Sequence, residues 1–288
     1  AYDDNGNVDR ERVKKLARYY ADKKVKGLYV GGSSGEGVLQ SEEERKLVVE
    51  AVMEEVGKEL TIIVHVGANS TPESVRLAQH AAKMGADAVS SIPAVYYRLS
   101  PQSVKAHWQA MIDSTDLPFI IYHIPQTTGF NLPISLFEEM AKQEKVIGIK
   151  CSSESTFELQ QFKAVGGKDF LVFNGPDEQF VSGRVIGAKA GIGGTYGAMP
   201  ELFLAMDECI NSGDMKRANE IQYCVNDIIA ALTSGHGNMY AMIKEVLRIN
   251  EGLDIGSVRK PLAALNSDDK EIAKEAAKMI VDAKKKFL

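Results

Sequence analysis

The stretch Val146-Ile147-Gly148-Ile149-Lys150-Cys151 places a lysine near the end of a short apolar run. A run of this length is typical of a buried strand in a parallel sheet. Period-two alternation predicts that Val146 and Gly148 share the face of Lys150, with the other three residues on the opposite face. Lys150 is either an ordinary strand-end lysine, whose stem packs on the core while its ammonium reaches water, or a reactive amine held in an enclosed interior.

Outward from this run, short apolar segments alternate with amphipathic helical segments, which favours βα units and a parallel sheet. Helix starts are well marked, since Ser41 and Glu44 form a predicted capping box, and Thr71 and Ser100 each precede a proline at the first helical position. The predicted strands cover residues 27–30, 61–66, 88–92, 119–124, 146–151, 170–174 and 190–193, and the helices cover residues 9–24, 42–56, 72–84, 101–114, 133–142, 155–165, 177–186 and 200–210.

The repetition of near-equal units predicts an α/β fold, a (βα)8 TIM barrel with a C-terminal helical extension. Seven strands are found, so we expect the first strand of the barrel to lie upstream of residue 1. The competing fold is an open doubly wound sheet, which lacks such simple repetition. After residue 210 the predicted elements are helices at 214–232, 238–250 and 268–286. The predicted division therefore separates a barrel at 1–212 from an extension at 213–288.

Composition narrows the kind of partner. The 288 residues are 44% hydrophobic and 25% charged with a net charge of −5, which argues against general affinity for nucleic acid or anionic membranes. No apolar run approaches the ~20 residues of a membrane span. Three cysteines without a C-x-x-C pair predict reduced thiols, no structural zinc and a cytoplasmic protein. We expect a small-molecule substrate.

The end of the first predicted strand carries a candidate binding loop, Gly31-Gly32-Ser33-Ser34-Gly35-Glu36-Gly37. Active sites of such barrels lie at the C-terminal ends of the strands. Glycines let the backbone approach a ligand, and hydroxyl and N–H groups near a helix start suit a carboxylate or phosphate. The alternative is a tight βα turn that needs glycine for its φ angles. The loop matches neither G-x-G-x-x-G nor a P-loop, so it does not favour a nucleotide.

Tyr122 and Lys150 end two further strands. Alternation puts Tyr122 on the opposite face from Ile121 and His123. A tyrosine there either relays protons or is packed with its hydroxyl satisfied. A desolvated lysine holds its amine neutral more readily, and a neutral amine attacks a carbonyl to form a Schiff base. Gly148 is expected to leave room beside Lys150.

These motifs together resemble the family of pyruvate-dependent class I aldolases that contains dihydrodipicolinate synthase and N-acetylneuraminate lyase. The resemblance covers essentially the whole chain and includes the order and spacing of the motifs. It rests on residues 31–36, Tyr122-His123-Ile124-Pro125 with Thr128-Gly129, Gly148-Ile149-Lys150, Gly175-Pro176-Asp177-Glu178 and Val258-Arg259-Lys260-Pro261-Leu262.

The resemblance implies a (βα)8 barrel that is generally tetrameric and uses neither metal nor organic cofactor. It implies that Lys150 forms an imine with the 2-keto carbon of pyruvate or a pyruvate-derived sugar acid, and that Tyr122 shuttles the proton. Ser33 and Ser34 would hold the carboxylate.

Six further positions are implied as substrate-binding. Ile192 corresponds to a position whose backbone lines the pyruvate pocket, and Ser152 matches a hydroxyl of the lyase branch. Gly175, Asp177 and Glu178 match a motif that accepts hydrogen bonds from sugar hydroxyls, although acidic residues also favour a helix N-terminus for structural reasons. Tyr96 matches a second tyrosine of the family, with Tyr97 as the alternative because this loop has one extra residue.

Two positions bear on the substrate. Dihydrodipicolinate synthases typically carry an arginine where this chain has Thr127, and a neutral residue suits a sugar tail better than a second carboxylate. Gly194 stands where sialic acid lyases usually have a serine; a lost side-chain hydrogen bond costs about 0.5–1.5 kcal/mol, which weakens binding without excluding it.

We therefore expect reversible cleavage of N-acetylneuraminate to N-acetylmannosamine and pyruvate. The alternatives are dihydrodipicolinate synthase, another pyruvate aldolase acting on 2-keto-3-deoxy sugar acids, and a catalytically silent binding member of the fold.

Overall fold

The computed structural model describes residues 1–288 and contains one parallel sheet in an α/β arrangement. Its seven strands follow one another in chain order, so each strand pairs with the next through a helical crossover. The predicted parallel sheet is confirmed, although the last strand is shorter than expected. The strands are β1 Gly27–Val30, β2 Thr61–His65, β3 Ala88–Ser91, β4 Phe119–His123, β5 Val146–Cys151, β6 Leu171–Asn174 and β7 Ala190–Gly191.

Twelve α-helices accompany the strands. The capping box at Ser41 is confirmed, since the Glu44 N–H donates to Ser41 Oγ at 3.2 Å and the Ser41 N–H donates to Glu44 Oε2 at 2.9 Å. The helices are α1 Arg10–Asp22, α2 Glu42–Val56, α3 Thr71–Met84, α4 Pro101–Asp113, α5 Pro125–Thr128, α6 Ile134–Ala141, α7 Thr156–Gly166, α8 Phe180–Val185, α9 Pro200–Ser212, α10 Met215–Thr233, α11 Met239–Glu251 and α12 Ser267–Phe287.

Two helix starts differ from prediction. Ser70, rather than Thr71, is the N-cap of α3, so Thr71 lies inside the helix. The helix predicted at 177–186 is divided into a 3₁₀ turn, Asp177–Gln179, and the short α8. That turn leaves Asp177 buried at the end of β6, where its side chain bonds a neighbouring loop instead of capping a continuous helix.

The strands pack on both faces. Their outer faces and the helices α1 to α4, α6 and α7 share a core of 33 buried residues, which we call the outer core. The inner faces meet in a small apolar group, which we call the inner cluster. Its buried members are Ile63, Ala88 and Ile120, with Tyr29, Ile147, Phe173 and Ile192 packed against them.

A β-bulge in β5 corrects the predicted alternation. Phe119 pairs with Val146, but the next residue of β4, Ile120, pairs with Gly148, so Ile147 is an extra residue in β5. A bulge shifts the two-residue period. Val146 therefore lies in the outer core, whereas Ile147 joins the inner cluster. The predicted grouping of Val146 with Lys150 is wrong because it assumed an unbroken period.

Gly148 lies against the neighbouring strand β6. A Cβ at this position would lie 2.7 Å from the backbone oxygen of Leu171 in β6. Its lack of a side chain therefore permits close approach of that strand, and the room expected beside Lys150 stays a prediction.

The helices from α8 to α12 share a second core of 25 buried residues, which we call the extension core. Because α8 and α9 lie on the barrel side of residue 212 and α10 to α12 beyond it, this core joins the two predicted parts. The division at residue 212 stays a prediction. No helix of the chain combines the length and apolarity that crossing a bilayer requires.

Candidate active site

Lys150 and Tyr122 lie side by side near the C-terminal ends of adjacent strands. Backbone pairing of β4 and β5 sets Tyr122 directly opposite Lys150. Lys150 is 7% exposed, and its Nζ lies 4.0 Å from the centre of the Tyr122 ring and 4.8 Å from that of Tyr29. The long stem does not carry the amine out to water. The ordinary strand-end reading of Lys150 therefore does not describe this side chain.

Tyr122 is a buried phenol with polar partners. Its hydroxyl lies 3.4 Å from Ser33 Oγ. Burial acts to raise the pKa of Tyr122, but the charge and hydrogen bond of Lys150, with hydrogen bonds from Ser33 and Ser152, outweigh it and hold that pKa below its usual value. A phenol that ionises more readily is better suited to accept a proton near neutral pH.

Residues 31–37 form a tight loop after β1, which we call the serine loop. The Glu36 N–H donates to the Ser33 carbonyl at 3.0 Å, and a Cβ on Gly37 would lie 2.0 Å from the Gly31 carbonyl oxygen. The turn itself therefore requires glycine. Its conformation leaves the hydroxyl residues Ser33 and Ser34 exposed. The structure therefore confirms the tight turn, and the binding of an anion by this loop stays a prediction.

Asp177 is a buried carboxyl that follows β6, close enough to Lys150 for the two side chains to interact electrostatically. Its Oδ2 accepts hydrogen bonds from the Thr195 N–H at 2.6 Å and from Thr195 Oγ1 at 2.5 Å. Burial raises the pKa of Asp177 to about 6, against the lowering effect of the Thr195 bonds. Oδ1 receives neither bond and lies against Gly193, where an added Cβ would be 1.6 Å away. Glu178, by contrast, is exposed.

Three other predicted positions lie around the strand ends. Gly175 follows β6, and a Cβ there would lie 2.1 Å from Ser152 Oγ, so glycine allows the two loops to touch. The N–H of Ile192 continues the β6–β7 ladder by donating to the Asn174 carbonyl at 3.0 Å. The side chain of Ile192 packs in the inner cluster.

The structure does not bring Tyr96 to this group. Tyr96 is 89% exposed and Tyr97 74% exposed, and the two rings pack edge to face with centroids 5.1 Å apart. Tyr96 also has a positive φ of 84°. The substrate-binding role predicted for Tyr96 stays a prediction, as does the choice between the two tyrosines.

Two tyrosines that the sequence reasoning passed over lie in the site. Tyr29 packs edge-on against Tyr122 at 5.7 Å and donates to Ser90 Oγ at 2.8 Å. Its place in a predicted strand, one residue before the strand end, could have revealed it. Tyr240 comes from α11, and its ring lies 3.5 Å from where a Gly194 side chain would begin, a point that is 3.2 Å from Ser34 Oγ. No local signal marks Tyr240, because only tertiary packing brings α11 here.

The residue types gathered at this site are those needed for Schiff-base chemistry. A buried primary amine beside a readily ionised phenol can form an imine with a carbonyl compound and move a proton at an adjacent carbon. Exposed hydroxyls on the serine loop can hold an anionic group of the same compound. Fold and site together define an α/β enzyme of the Schiff-base aldolase class.

Comparison with known proteins identifies the family. The sequence profile of the Dihydrodipicolinate synthetase family matches residues 1–280. The chain belongs to this family.

Similar proteins lie in the sialic acid branch. The chain is 52% identical to an N-acetylneuraminate lyase of Mediterraneibacter gnavus, over 100% of this chain and 91% of that one. Wild-type Ruminococcus gnavus sialic acid aldolase superposes with a TM-score of 0.98 at 52% identity, over 100% of this chain and 96% of that one. CdNal of Clostridium difficile, solved in complex with mannosamine, gives a TM-score of 0.92 at 30% identity, over 100% and 96%.

Proposed function

We propose that this chain cleaves N-acetylneuraminate reversibly to N-acetylmannosamine and pyruvate. It is a carbon–carbon lyase of the class I type, in which a lysine forms a Schiff base. The observation that carries the proposal is the buried Lys150–Tyr122 pair, with Nζ 4.0 Å from the ring centre. This pair occurs in a chain that is 52% identical to an N-acetylneuraminate lyase.

The chemistry begins at the open-chain 2-keto acid. The Lys150 amine adds to C2 and water leaves, which gives an iminium. Its positive charge accepts the electron pair of the breaking C3–C4 bond, while Tyr122 takes the C4 hydroxyl proton as its own phenolic proton passes to the substrate carboxylate, and the sugar leaves as an aldehyde. The remaining enamine is protonated at C3 and hydrolysed, which releases pyruvate and frees Lys150.

The two ends of the substrate have separate binding groups. Ser33 and Ser34 hold the carboxylate, since both present exposed hydroxyls on the serine loop and Ser33 Oγ lies 3.4 Å from the Tyr122 hydroxyl. Asp177, Glu178, Ser152 and the backbone at Gly175 line the side toward the sugar tail, and the backbone at Ile192 lines the pyruvate pocket. The neutral Thr127, which is exposed and donates to the Ile124 carbonyl at 3.4 Å, leaves no cation for a second carboxylate.

A substrate comparison tests the proposal directly. With N-acetylneuraminate, we expect pyruvate and N-acetylmannosamine to appear in equal amounts, measured by a coupled pyruvate assay and by chromatography of the sugar. Condensation of pyruvate with aspartate semialdehyde should be absent, because Thr127 cannot pair with the second carboxylate. Rapid condensation without sugar cleavage would instead establish dihydrodipicolinate synthase.

Gly194 favours a second candidate, a pyruvate aldolase acting on 2-keto-3-deoxy sugar acids. Such substrates have shorter tails than N-acetylneuraminate and do not need a serine hydroxyl at this position. A higher kcat/KM for a six-carbon 2-keto-3-deoxy acid than for N-acetylneuraminate would select this candidate.

The state of Asp177 predicts a pH dependence of sugar binding. Its pKa of about 6 means that the carboxyl takes up a proton as pH falls through that value. The proton goes to Oδ1, because Oδ2 accepts both Thr195 bonds. An acceptor for sugar hydroxyls thereby becomes a donor, so the KM for N-acetylneuraminate should rise about tenfold per pH unit below 6, as for one ionised group.

Asp177→Asn supplies the comparison for this pH effect. An asparagine side chain does not ionise. When its oxygen accepts the two Thr195 bonds, its NH2 group takes the place of the free carboxylate oxygen, so we expect a high KM without the rise below pH 6. Glu271→Gln, at an exposed carboxylate of α12, should retain the wild-type profile. A wild-type KM that is flat between pH 7 and 5 would show that Asp177 does not accept hydrogen bonds from the sugar.

The proposal extends to the closed fold. We infer a (βα)8 barrel in which an eighth strand lies between β1 and β7. The inner cluster supports this, because it contains Tyr29 of β1 and Ile192 at the end of β7. The two outermost strands of the sheet therefore face one interior.

Assembly and location complete the proposal. We infer a homotetramer, because the paired Tyr96 and Tyr97 rings and Val38, which is 64% exposed, form apolar surface that a neighbouring subunit would cover. We infer a cytoplasmic protein, because its three cysteines carry free thiols. The division into a barrel at 1–212 and an extension at 213–288 is retained as part of this proposal.

A further inference from the structure

A buried ion pair connects the serine loop to the helical extension. Lys244 Nζ in α11 lies 2.7 Å from Glu36 Oε1, and the two residues are 9% and 3% exposed. The mechanism uses neither residue. Removing one partner of a buried pair leaves an uncompensated charge, so the two groups are strongly interdependent.

The same carboxylate also holds a third segment. Glu36 Oε2 accepts from the Arg259 N–H at 2.8 Å, and Lys244 Nζ donates to the Ser257 carbonyl at 2.7 Å. The Arg259 guanidinium pairs with Glu44 in α2 at 2.6 Å. The Val258–Leu262 motif, which had no role from the sequence alone, thus closes the network around Glu36.

The backbone at Glu36 indicates that its side chain is needed there. Its φ of 55° and ψ of 27° lie in the left-handed region, which favours glycine over residues with a Cβ. Glycine would adopt this conformation without steric cost but would provide no carboxylate. The cost is offset by the ion pair and by the bond from Arg259.

A backbone hydrogen bond couples Glu36 to Ser33, one of the two hydroxyl residues proposed to bind the carboxylate. The Glu36 N–H donates to the Ser33 carbonyl at 3.0 Å, so a displacement of Glu36 displaces Ser33. Ser33 Oγ in turn lies 3.4 Å from the Tyr122 hydroxyl. One helical turn before Lys244, Tyr240 lies near Ser34, since a Cβ on Gly194 would be 3.2 Å from Ser34 Oγ and 3.5 Å from the Tyr240 ring, so α11 meets the serine loop at two points on one face.

We propose that Glu36 and Lys244 are a positioning pair that sets Ser33 and Ser34 to receive the substrate carboxylate. The helical extension, through α11, thereby controls recognition of the keto acid. Neither residue touches the reacting atoms. This inference rests on the proposed function, because it assigns Ser33 and Ser34 to the carboxylate.

Trapping two carbonyl compounds on Lys150 separates positioning from general damage. Pyruvate carries a carboxylate and acetone does not, yet both form imines that borohydride reduces to stable adducts. In Lys244→Met and in Glu36→Gln, we expect the pyruvate concentration for half-maximal trapping to rise about tenfold or more, as for a weakened charge-assisted hydrogen bond. Trapping of acetone should be unchanged.

Three further variants control for folding. Lys244→Arg keeps the charge, and the double variant Glu36→Gln with Lys244→Met removes both charges, so each should fold if a single variant does not. We expect Lys244→Arg to retain most of the pyruvate preference and the double variant to lose it. Lys23→Met breaks a different ion pair to the extension, Lys23–Glu251 at 3.1 Å, and should leave trapping unchanged.

The outcomes are distinct. Unchanged pyruvate trapping in both single variants, or in the double variant if these do not fold, would overturn the positioning role. Equal losses with pyruvate and acetone would also overturn it, because general loosening explains them. If the wild-type enzyme traps acetone but not pyruvate, the proposed function fails, and the positioning role fails with it.

Discussion

Lys150→Ala is expected to abolish both imine formation and cleavage of N-acetylneuraminate. In the proposed mechanism the amine of Lys150 forms the covalent electron sink, and nothing else at the site replaces it. Without it the enzyme should lose most of the rate enhancement, which for enzymes is roughly 10⁶-fold or more. Borohydride reduction followed by mass spectrometry, together with the pyruvate assay, measures both losses in one preparation.

Two controls make the result at Lys150 specific. Lys142→Ala removes an exposed lysine at the end of α6 and should leave adduct and turnover unchanged. Circular dichroism of Lys150→Ala should match that of the wild type, because the substitution leaves the backbone pairing of β4 with β5 intact and buries no new polar group. A pyruvate adduct on another lysine, or normal turnover, would refute the assignment of Lys150.

Tyr122→Phe is expected to lower kcat by roughly 10² to 10⁴, the range for loss of one acid–base group. The ring that lies under Lys150 Nζ is retained, whereas the hydroxyl that we propose receives the C4 proton is lost. Imine formation with pyruvate should therefore persist while cleavage nearly stops. Steady-state kinetics and borohydride trapping on the same variant separate the two steps.

The comparison variant for Tyr122 is Tyr223→Phe, at a residue that is 73% exposed on α10. It should have wild-type kcat, KM and trapping. A Tyr122→Phe enzyme with normal kcat would exclude the hydroxyl from proton transfer. Equal loss of trapping and turnover would instead mean that Tyr122 acts in forming the imine.

Local signals were enough for most of the secondary structure. The capping box of Ser41 with Glu44 and the β-branched runs depend on neighbours within four residues, so their outcome does not require the fold. The bulge at Ile147 could not be predicted from the sequence, because it is a property of the β4–β5 hydrogen-bond ladder. Nothing in a single strand records which of its residues lacks a partner.

The site divides in the same way. Lys150 and Tyr122 each follow an apolar run, and in a parallel sheet the strand ends meet on one side, so their proximity could be expected from the sequence. The 4.0 Å approach of Nζ to the Tyr122 ring could not, because it depends on strand register. Tyr240 and Lys244 lie on an ordinary amphipathic helix, and only the packing of α11 against the serine loop gives them a role.

The sequence by itself determined the alternation of helices and parallel strands, the lysine and tyrosine at two strand ends, and the family with its chemistry. These features reside in residue types and short spacings. The tertiary structure decided that Lys150 is buried, that Asp177 holds its proton up to a pH of about 6, and that Glu36 is tied to Lys244, 208 residues away. Burial and long-range ion pairing depend on what surrounds a group in space, and neighbours along the chain do not specify that.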